Sequence, residues 1–470
     1  VKHRRRQGLS GVWRSVGADV GRVSLALVAS WVAFIVLLLI PMAVPDEPVI
    51  ARYEAGVGIA KSSVEPLPIG GLADSWSECI EVLMHSGQDR LLAVARSDYP
   101  EVSSVPCVQY ADAAANKTLD IQIAKPTSYT RYWHGYSVVL RPIFAYIGMD
   151  ALRVLVGGLV LIAVGLWIAT TSKAANLLVA VALVAPPVLM SDTAWLGFSV
   201  QHALAYAVVI ASAAVLTAIA SSCSLTATRW LWASVAIAGA LANFVDILNV
   251  APVAWAIAVA GVAIGLLRRS EVAPKPPLGE GEGVGSGNGV AQVLTGSFVA
   301  ALVWALAFGL TWVVRWLLAI PFLGTRAVFD DVAEAVAIRG GVAARLWTDG
   351  WTVTLAWWER LPLGGWRPAL VVLAVAGGVL LVRLVVARGR RWALLARVGV
   401  AAWAAVLVPI WFLAFGRHAA DHGWFMYRGW AYALGIVAAA AFIPLPNGGW
   451  ARGRRPLEEN LGDTPRLPLA

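Results

Sequence analysis

The chain has 470 residues, of which 59% are hydrophobic and 14% charged, and its mean hydropathy is +0.71. A soluble domain carries about 25% charged residues, so this composition excludes a soluble globular protein and points to a polytopic membrane protein. The formal net charge of +9 sits largely in short arginine clusters between apolar runs, the pattern that orients membrane proteins, and it does not indicate nucleic acid as a partner.

Taken in chain order, residues 1–22 form a basic N-terminus containing Lys2 and Arg4 to Arg6. The apolar run 23–44 is too long and uninterrupted for a signal peptide and reads as a retained first membrane helix. A long hydrophilic segment, 45–148, follows. Within 149–267 lie apolar runs at 151–170, 175–190, 203–221, 230–248 and 251–267, each near the ~20 residues a helix needs to cross the hydrocarbon. The run 175–190 carries Pro186 and Pro187 and is the one that could be re-entrant. Residues 268–292 are rich in Gly, Pro and charge and read as a flexible linker. The remainder, 293–445, holds runs at 294–320, 368–387, 394–415 and 430–445. Between the first two of these, 322–365 is amphipathic: Val328, Val332, Val336 and Ile338 alternate with Asp330, Asp331, Glu334 and Arg339, the pattern of a helix lying on a membrane surface. The tail 446–470 is polar. The expected fold class is thus an all-α polytopic membrane protein of about ten transmembrane helices with a long first outer loop.

Placing the N-terminus in the cytoplasm makes 171–174, 222–229, 268–292, 388–393 and the tail cytoplasmic. Those segments hold Lys173, Arg229, Arg268, Arg269, Lys275 and two RGRR runs at 388–391 and 452–455, in agreement with the positive-inside rule. The expected localisation is a plasma membrane crossed many times, with both termini cytoplasmic. The outer face then receives 45–148, 191–202, 247–250, 321–367 and 416–429, and the polar clusters of interest all fall there.

In 72–85, Asp74 and Glu78 are four apart, so a helix would place them on one face. A carboxylate at an outer membrane surface can act as general base on a hydroxyl, although the same spacing also makes an ordinary solvated face. Cys79 and Cys107 share this segment, which leaves a disulfide open outside the cell; Cys223 lies elsewhere, and no metal-type cysteine spacing occurs. The stretch Tyr129–Pro142 (YTRYWHGYSVVLRP) gathers Arg131, Tyr132, Trp133, His134, Tyr136 and Arg141 ahead of an apolar run. Its arginines suit phosphate or carboxylate, and its aromatics suit an interfacial belt. His202 stands at the start of a span beside Gln201. Asp246 lies near the outer end of another, where an ionisable group faces a polar cavity or partner. The loop 417–428 (RHAADHGWFMYR) offers His418 and His422 at i, i+4, with Tyr427 and Arg428 beyond. That spacing can present two imidazoles to one divalent metal, but no third ligand is evident, so anion binding is the stronger reading and no metal or cofactor is assigned. No Walker, Rossmann or GxSxG motif occurs in a supporting context.

These stretches resemble a group of bacterial membrane proteins in the C-type (GT-C) glycosyltransferase superfamily. That group has Asp-x-x-x-Asp in the first outer loop, then YARYWHGYxxxLRP, an FFDFLTAP-like stretch, and a late loop with two His and a Tyr-Arg pair. Here Asp74 with Glu78, Tyr129–Pro142, Phe244–Pro252, and His418, His422, Tyr427 and Arg428 match in turn. Glu78 stands where the pattern has Asp, and NFVDILNVAP lacks the Thr. The resemblance covers the first half and the end of the chain. It implies an inverting enzyme that moves a sugar from a polyprenyl-phosphate carrier to an envelope glycan or other acceptor. Asp74 (then Glu78) would be the base, with Arg131, Tyr132, His134, Tyr136, Arg141, His202, His418, His422, Tyr427 and Arg428 contacting phosphate and sugar, and Asp246 binding sugar or acceptor hydroxyls. A transporter or flippase for a lipid-linked glycan is the main alternative, and it would need polar groups along a path to the cytoplasmic side.

Overall fold

The computed structural model describes residues 2–54, 65–66, 72–73, 99–101, 125–127, 130–246, 248–272, 285–340 and 346–445. Described residues are overwhelmingly helical, because a backbone in hydrocarbon must bond to itself. Helix α1 (Lys2–Leu37) continues through Leu39–Ala43, and α2 (Asp46–Glu54) follows. Two short antiparallel ribbons pair Glu65–Pro66 with Leu72–Ala73 and Tyr99–Glu101 with Lys125–Thr127. Then come α3 (Ser137–Ile147), α4 (Met149–Ala174), α5 (Leu177–Met190), α6 (Val200–Ser221), α7 (Leu225–Val245) and α8 (Ala251–Val272). The second half holds α9 (Gly285–Leu323), α10 (Thr325–Gly340), α11 (Leu346–Trp358), α12 (Trp366–Ala387), α13 (Arg391–Ala402), α14 (Leu407–Ala414) and α15 (Arg428–Ala441).

Among the described residues, seven segments are long and apolar enough to cross a membrane: 17–43, 149–174, 200–221, 225–245, 251–272, 289–323 and 366–414. The difference from the ten expected has two causes. The expected spans 175–190 and 430–445 fall on α5 and α15, which have only 14 residues each. At 1.5 Å per residue these reach about 21 Å, short of a hydrocarbon core of about 30 Å. The expected spans 368–387 and 394–415 lie in one 49-residue segment, interrupted at Arg388–Arg390 by a 3-10 turn with Arg388 at φ +42°. The linker is also narrower than expected, because α8 runs to Val272 and α9 starts at Gly285. The amphipathic 322–365 resolves into α10 and α11, with 341–345 outside the described residues.

Helix α6 is the centre of the bundle, packed along α4 on one side and α8 on the other. Small residues let these axes close, as in other membrane helix pairs. A Cβ on Gly261 would stand 2.5 Å from Thr217 Oγ1, and one on Gly265 2.6 Å from the Ala220 Cβ. Around this core, α7 packs on α1 and α9, while α15 packs on α5, α12 and α13.

The two ends of the bundle differ in chemistry. At one end, Arg269 donates to the Ile219 carbonyl (3.0 Å), Arg383 donates to the carbonyls of Ala441 and Ile443, and Arg397 pairs with Glu271. These cations meet the carbonyl-rich C-termini of α6, α8 and α15, where the helix dipole favours positive charge.

Candidate functional site

The opposite end holds two adjoining groups of buried polar side chains. The first is built on α5 and α15. These helices pack side by side and share a level at their arginine-rich ends, where Asn176 Nδ2 reaches the Phe442 carbonyl at 3.5 Å. Both stop after 14 residues, so Asp192, just beyond α5, and Arg428, the first residue of α15, come to the same depth. Their side chains are 3% and 1% exposed. Arg428 Nε and Nη2 both donate to the Asp192 carboxylate, the latter at 2.5 Å to Oδ2. Nη1 donates to the Phe425 carbonyl at 3.0 Å, and the guanidinium carbon stands 3.8 Å from the Phe425 ring centroid. A charge this deep persists only when paired and hydrogen-bonded, and the fork of arginine supplies both requirements at once.

Aromatic hydroxyls surround the pair. Tyr206, Tyr427 and Tyr432 are buried, and Tyr432 Oη lies 3.5 Å from Thr193 Oγ1. Tyr427 Oη is near Asp192 but makes no hydrogen bond of ordinary geometry with a described residue. Burial pushes its phenol well above the usual range while Arg428 pulls the other way, so Tyr427 keeps its proton.

His202 joins α6 to this group. Its ring lies 3.4 Å from the Phe425 ring in a stacked arrangement, Nδ1 is 2.7 Å from Ser199 Oγ, and Nε2 is 3.0 Å from Asn249 Nδ2. Each ring nitrogen thus has a polar neighbour, and the two together fix the orientation of the imidazole. Arg428 and His422 are both within Coulombic reach of the ring. Asp246 sits in the turn between α7 and α8, where Oδ2 accepts from the backbone N–H of Val250 (2.9 Å) and Ala251 (3.0 Å). It therefore caps α8, a role that sequence position alone did not indicate. Gln201, 1% exposed, has no hydrogen-bond partner among the described residues for either side-chain atom.

The second group is the aromatic stretch ahead of α3. His134 takes φ +55°, and its Nδ1 is 2.7 Å from Tyr136 Oη. Gly135 donates to the Phe244 carbonyl at 2.8 Å, and any side chain there would overlap the Phe244 ring. Trp133 Nε1 donates to the Thr311 carbonyl (2.9 Å), and Arg315 Nε donates to the Tyr132 carbonyl (2.8 Å). Arg131 is 3.9 Å from Asp331. Arg141, 1% exposed, donates to the Pro41 carbonyl (3.1 Å) and pairs with Asp46. The stretch thus locks α1, α7 and α9 together, and Phe244 links it to Asp246 two residues on.

The late loop brings the His418 and His422 rings to 4.4 Å between centroids. Among the described residues, no group of three or more His, Cys, Asp or Glu side chains is arranged to hold a metal. Asp74, Glu78, Cys79 and Cys107 lie outside the described residues. Asp192, Phe425, Asn249 and Arg315 were not picked out from the sequence. An ionisable residue directly after an apolar run was the available signal for Asp192.

Fold and site together define a helical, polytopic membrane protein with a buried polar centre at one end of its bundle. No family model, curated protein or solved structure matches the chain.

Proposed function

We propose that the protein is an inverting membrane glycosyltransferase that takes a sugar from a polyprenyl-phosphate carrier and passes it to an envelope glycan or other acceptor at the outer face. The observation that carries this reading is the gathering of Asp192, Arg428, His202, Asp246 and Tyr427 from four separate chain segments at one end of the bundle. A polar centre within the depth of the bilayer suits a donor whose carrier never leaves the membrane. In the reaction an acceptor O–H attacks the anomeric carbon. The bond from that carbon to the phosphate oxygen breaks, and polyprenyl phosphate departs with the electron pair. The acceptor proton passes to a carboxylate, for which Asp74 is the first candidate and Glu78 the second. Arg131, His134, His422 and Arg428 are candidates to stabilise the departing phosphate; Arg141, held by Asp46, acts from behind by setting the orientation of α3.

The opposite, arginine-rich end would face the cytoplasm. A flippase fits less well: along α6 the side chains between Tyr206 and Thr217 include no ionisable group, so nothing on the central helix offers a charged ligand a path between the ends. The test is transfer by purified protein in lipid nanodiscs supplied with polyprenyl-phosphate sugars, alongside glycan profiling of a strain lacking the gene. Asp74→Asn is expected to abolish release of polyprenyl phosphate while the protein remains folded. Wild-type turnover in that variant removes Asp74 from the mechanism, and an unchanged glycan profile in the deletion strain defeats the reading as a whole.

A further inference from the structure

The turn from α12 to α13 lies at the arginine-rich end of the bundle, away from the polar centre. Helix α12 meets its neighbours along a narrow seam: of its 22 residues only Ala369, Ala376 and Ala387 are buried. Near that end Arg383 ties it to the carbonyls of Ala441 and Ile443. On its outward side Leu381, Val382, Val385 and Val386 are between 61% and 70% exposed. Their i, i+1, i+4, i+5 spacing makes one continuous apolar stripe, and it ends two residues before Arg388.

The turn itself presents charge. Arg388, Arg390 and Arg391 are all exposed. Arg388 has φ +42° and ψ −115°, close to the first central position of a type II′ turn, which is a place for glycine. Gly389 stands one residue further on, yet the costly conformation falls on an arginine. The Arg391 N–H bonds to the Arg388 carbonyl, so the two Cα atoms are within about 7 Å, a separation that two arginine side chains can close on one phosphate. Arg391 Nε donates to the Leu384 carbonyl at 2.9 Å, which brings its guanidinium to the turn of α12 that bears the stripe. Trp392, 83% exposed, follows directly, and an indole in that position suits the headgroup level of a bilayer. Nothing local neutralises the pair. Residues 360–420 contain no Asp or Glu, and among the described residues neither Arg388 nor Arg391 forms an ion pair. Glu271 at this end is already held by Arg397 and Arg268.

We infer that this turn binds an anionic phospholipid of the phosphatidylglycerol class, its phosphate between Arg388 and Arg391 and one acyl chain along Leu381–Val386. Two uncompensated guanidinium groups call for a phosphate, the anion that their N–H edges match. The apolar stripe in the adjoining helical turn, with Trp392 beside it, selects a phosphate that carries a hydrocarbon chain over a soluble one. The assignment is independent of the transferase reading and gives the strained backbone of Arg388 a use, which is to hold a cation at the rim of the bilayer.

The experiment uses full-length protein in phosphatidylcholine nanodiscs doped with a phosphatidylglycerol that bears a diazirine in the upper part of one acyl chain. Photolysis is expected to label α12 between Leu381 and Val386. The double variant Arg388→Gln/Arg391→Gln, altered only at exposed positions, is expected to reduce that labelling at least roughly tenfold, the scale of two near-surface cations removed. Arg388→Gly separates binding from folding. Glycine suits the positive φ, so its unfolding temperature in pure phosphatidylcholine is expected to equal or exceed that of the wild type while labelling falls. Labelling elsewhere, or undiminished labelling in both variants, would overturn the inference. So would displacement of the probe by phosphatidylcholine as efficiently as by unlabelled phosphatidylglycerol, the behaviour of ordinary boundary lipid. Displacement by inorganic phosphate or glycerophosphoglycerol as efficiently as by the whole lipid would mark a site for a soluble anion and overturn it equally.

Discussion

Two buried ion pairs, one near each end of the bundle, look alike in isolation and differ in their surroundings. Glu271 and Arg397, 10% and 5% exposed, join α8 to α13 among other arginines. Glu271 also has Arg268 at 3.6 Å, so it is never far from a second cation. Among the described residues, Asp192 and Arg428 have no such reserve. Tyrosines, Phe425 and the His202 network close around them, and each charge depends on the other. The difference teaches that a buried ion pair is not in itself a site. What distinguishes the Asp192 end is the ring of neutral donors and acceptors around the charges, where a polar ligand can be recognised by hydrogen bonds.

That contrast can be broken by substitution. The largest effect is expected for Arg428→Ala, which strands Asp192 in a low-dielectric interior; a loss of about 3–5 kcal/mol is typical of an orphaned buried charge. Arg428→Lys keeps the charge but not the fork, and its unfolding temperature in detergent should fall between the two. If Arg428→Ala unfolds like the wild type, water reaches Asp192 and the pair is not closed. Next comes His202→Phe, which retains a ring against Phe425 but leaves Ser199 and Asn249 without their partner, at a cost of about 1–3 kcal/mol. A drop in the unfolding temperature, with no change for Ser199→Ala alone, would place the weight on Asn249. The smallest effect is expected for Arg397→Ala, about 1 kcal/mol, the scale of one net hydrogen bond, because Arg268 at 3.6 Å can take over Glu271. A loss there equal to that of Arg428→Ala would remove the distinction between the two ends.

Much of this arrangement was legible in the sequence, for identifiable reasons. Lengths of apolar runs gave the long helices, since backbone satisfaction in a bilayer leaves few other choices. The arginine bias pointed to Arg269 as marking one end of the bundle; Arg383 and Arg397, which fell inside expected spans, meet helix C-termini at that same end. The density of the Tyr129–Pro142 stretch was visible, but its use was not. Trp133 and Gly135 are there to be packed against Thr311 and Phe244, contacts that depend on where α7 and α9 lie. Arg141 read as an anion ligand, yet Asp46 meets it from 95 residues away. The partner of Arg428 is 236 residues distant, and no periodicity links them. The depth of α5 was legible only in part: the proline pair flagged the helix as unusual, but not that α15 would match its length.

The shortness of α5 and α15 also bears on the membrane. Fourteen residues leave about 9 Å of a 30 Å slab uncovered on that flank. Lipids there must either thin toward the protein or meet polar side chains below the level of their headgroups. On that flank a bilayer's boundary between oil and water would be pulled inward. A molecule with a long tail and a charged head would be drawn there by the shape of the bilayer before any side chain touched it.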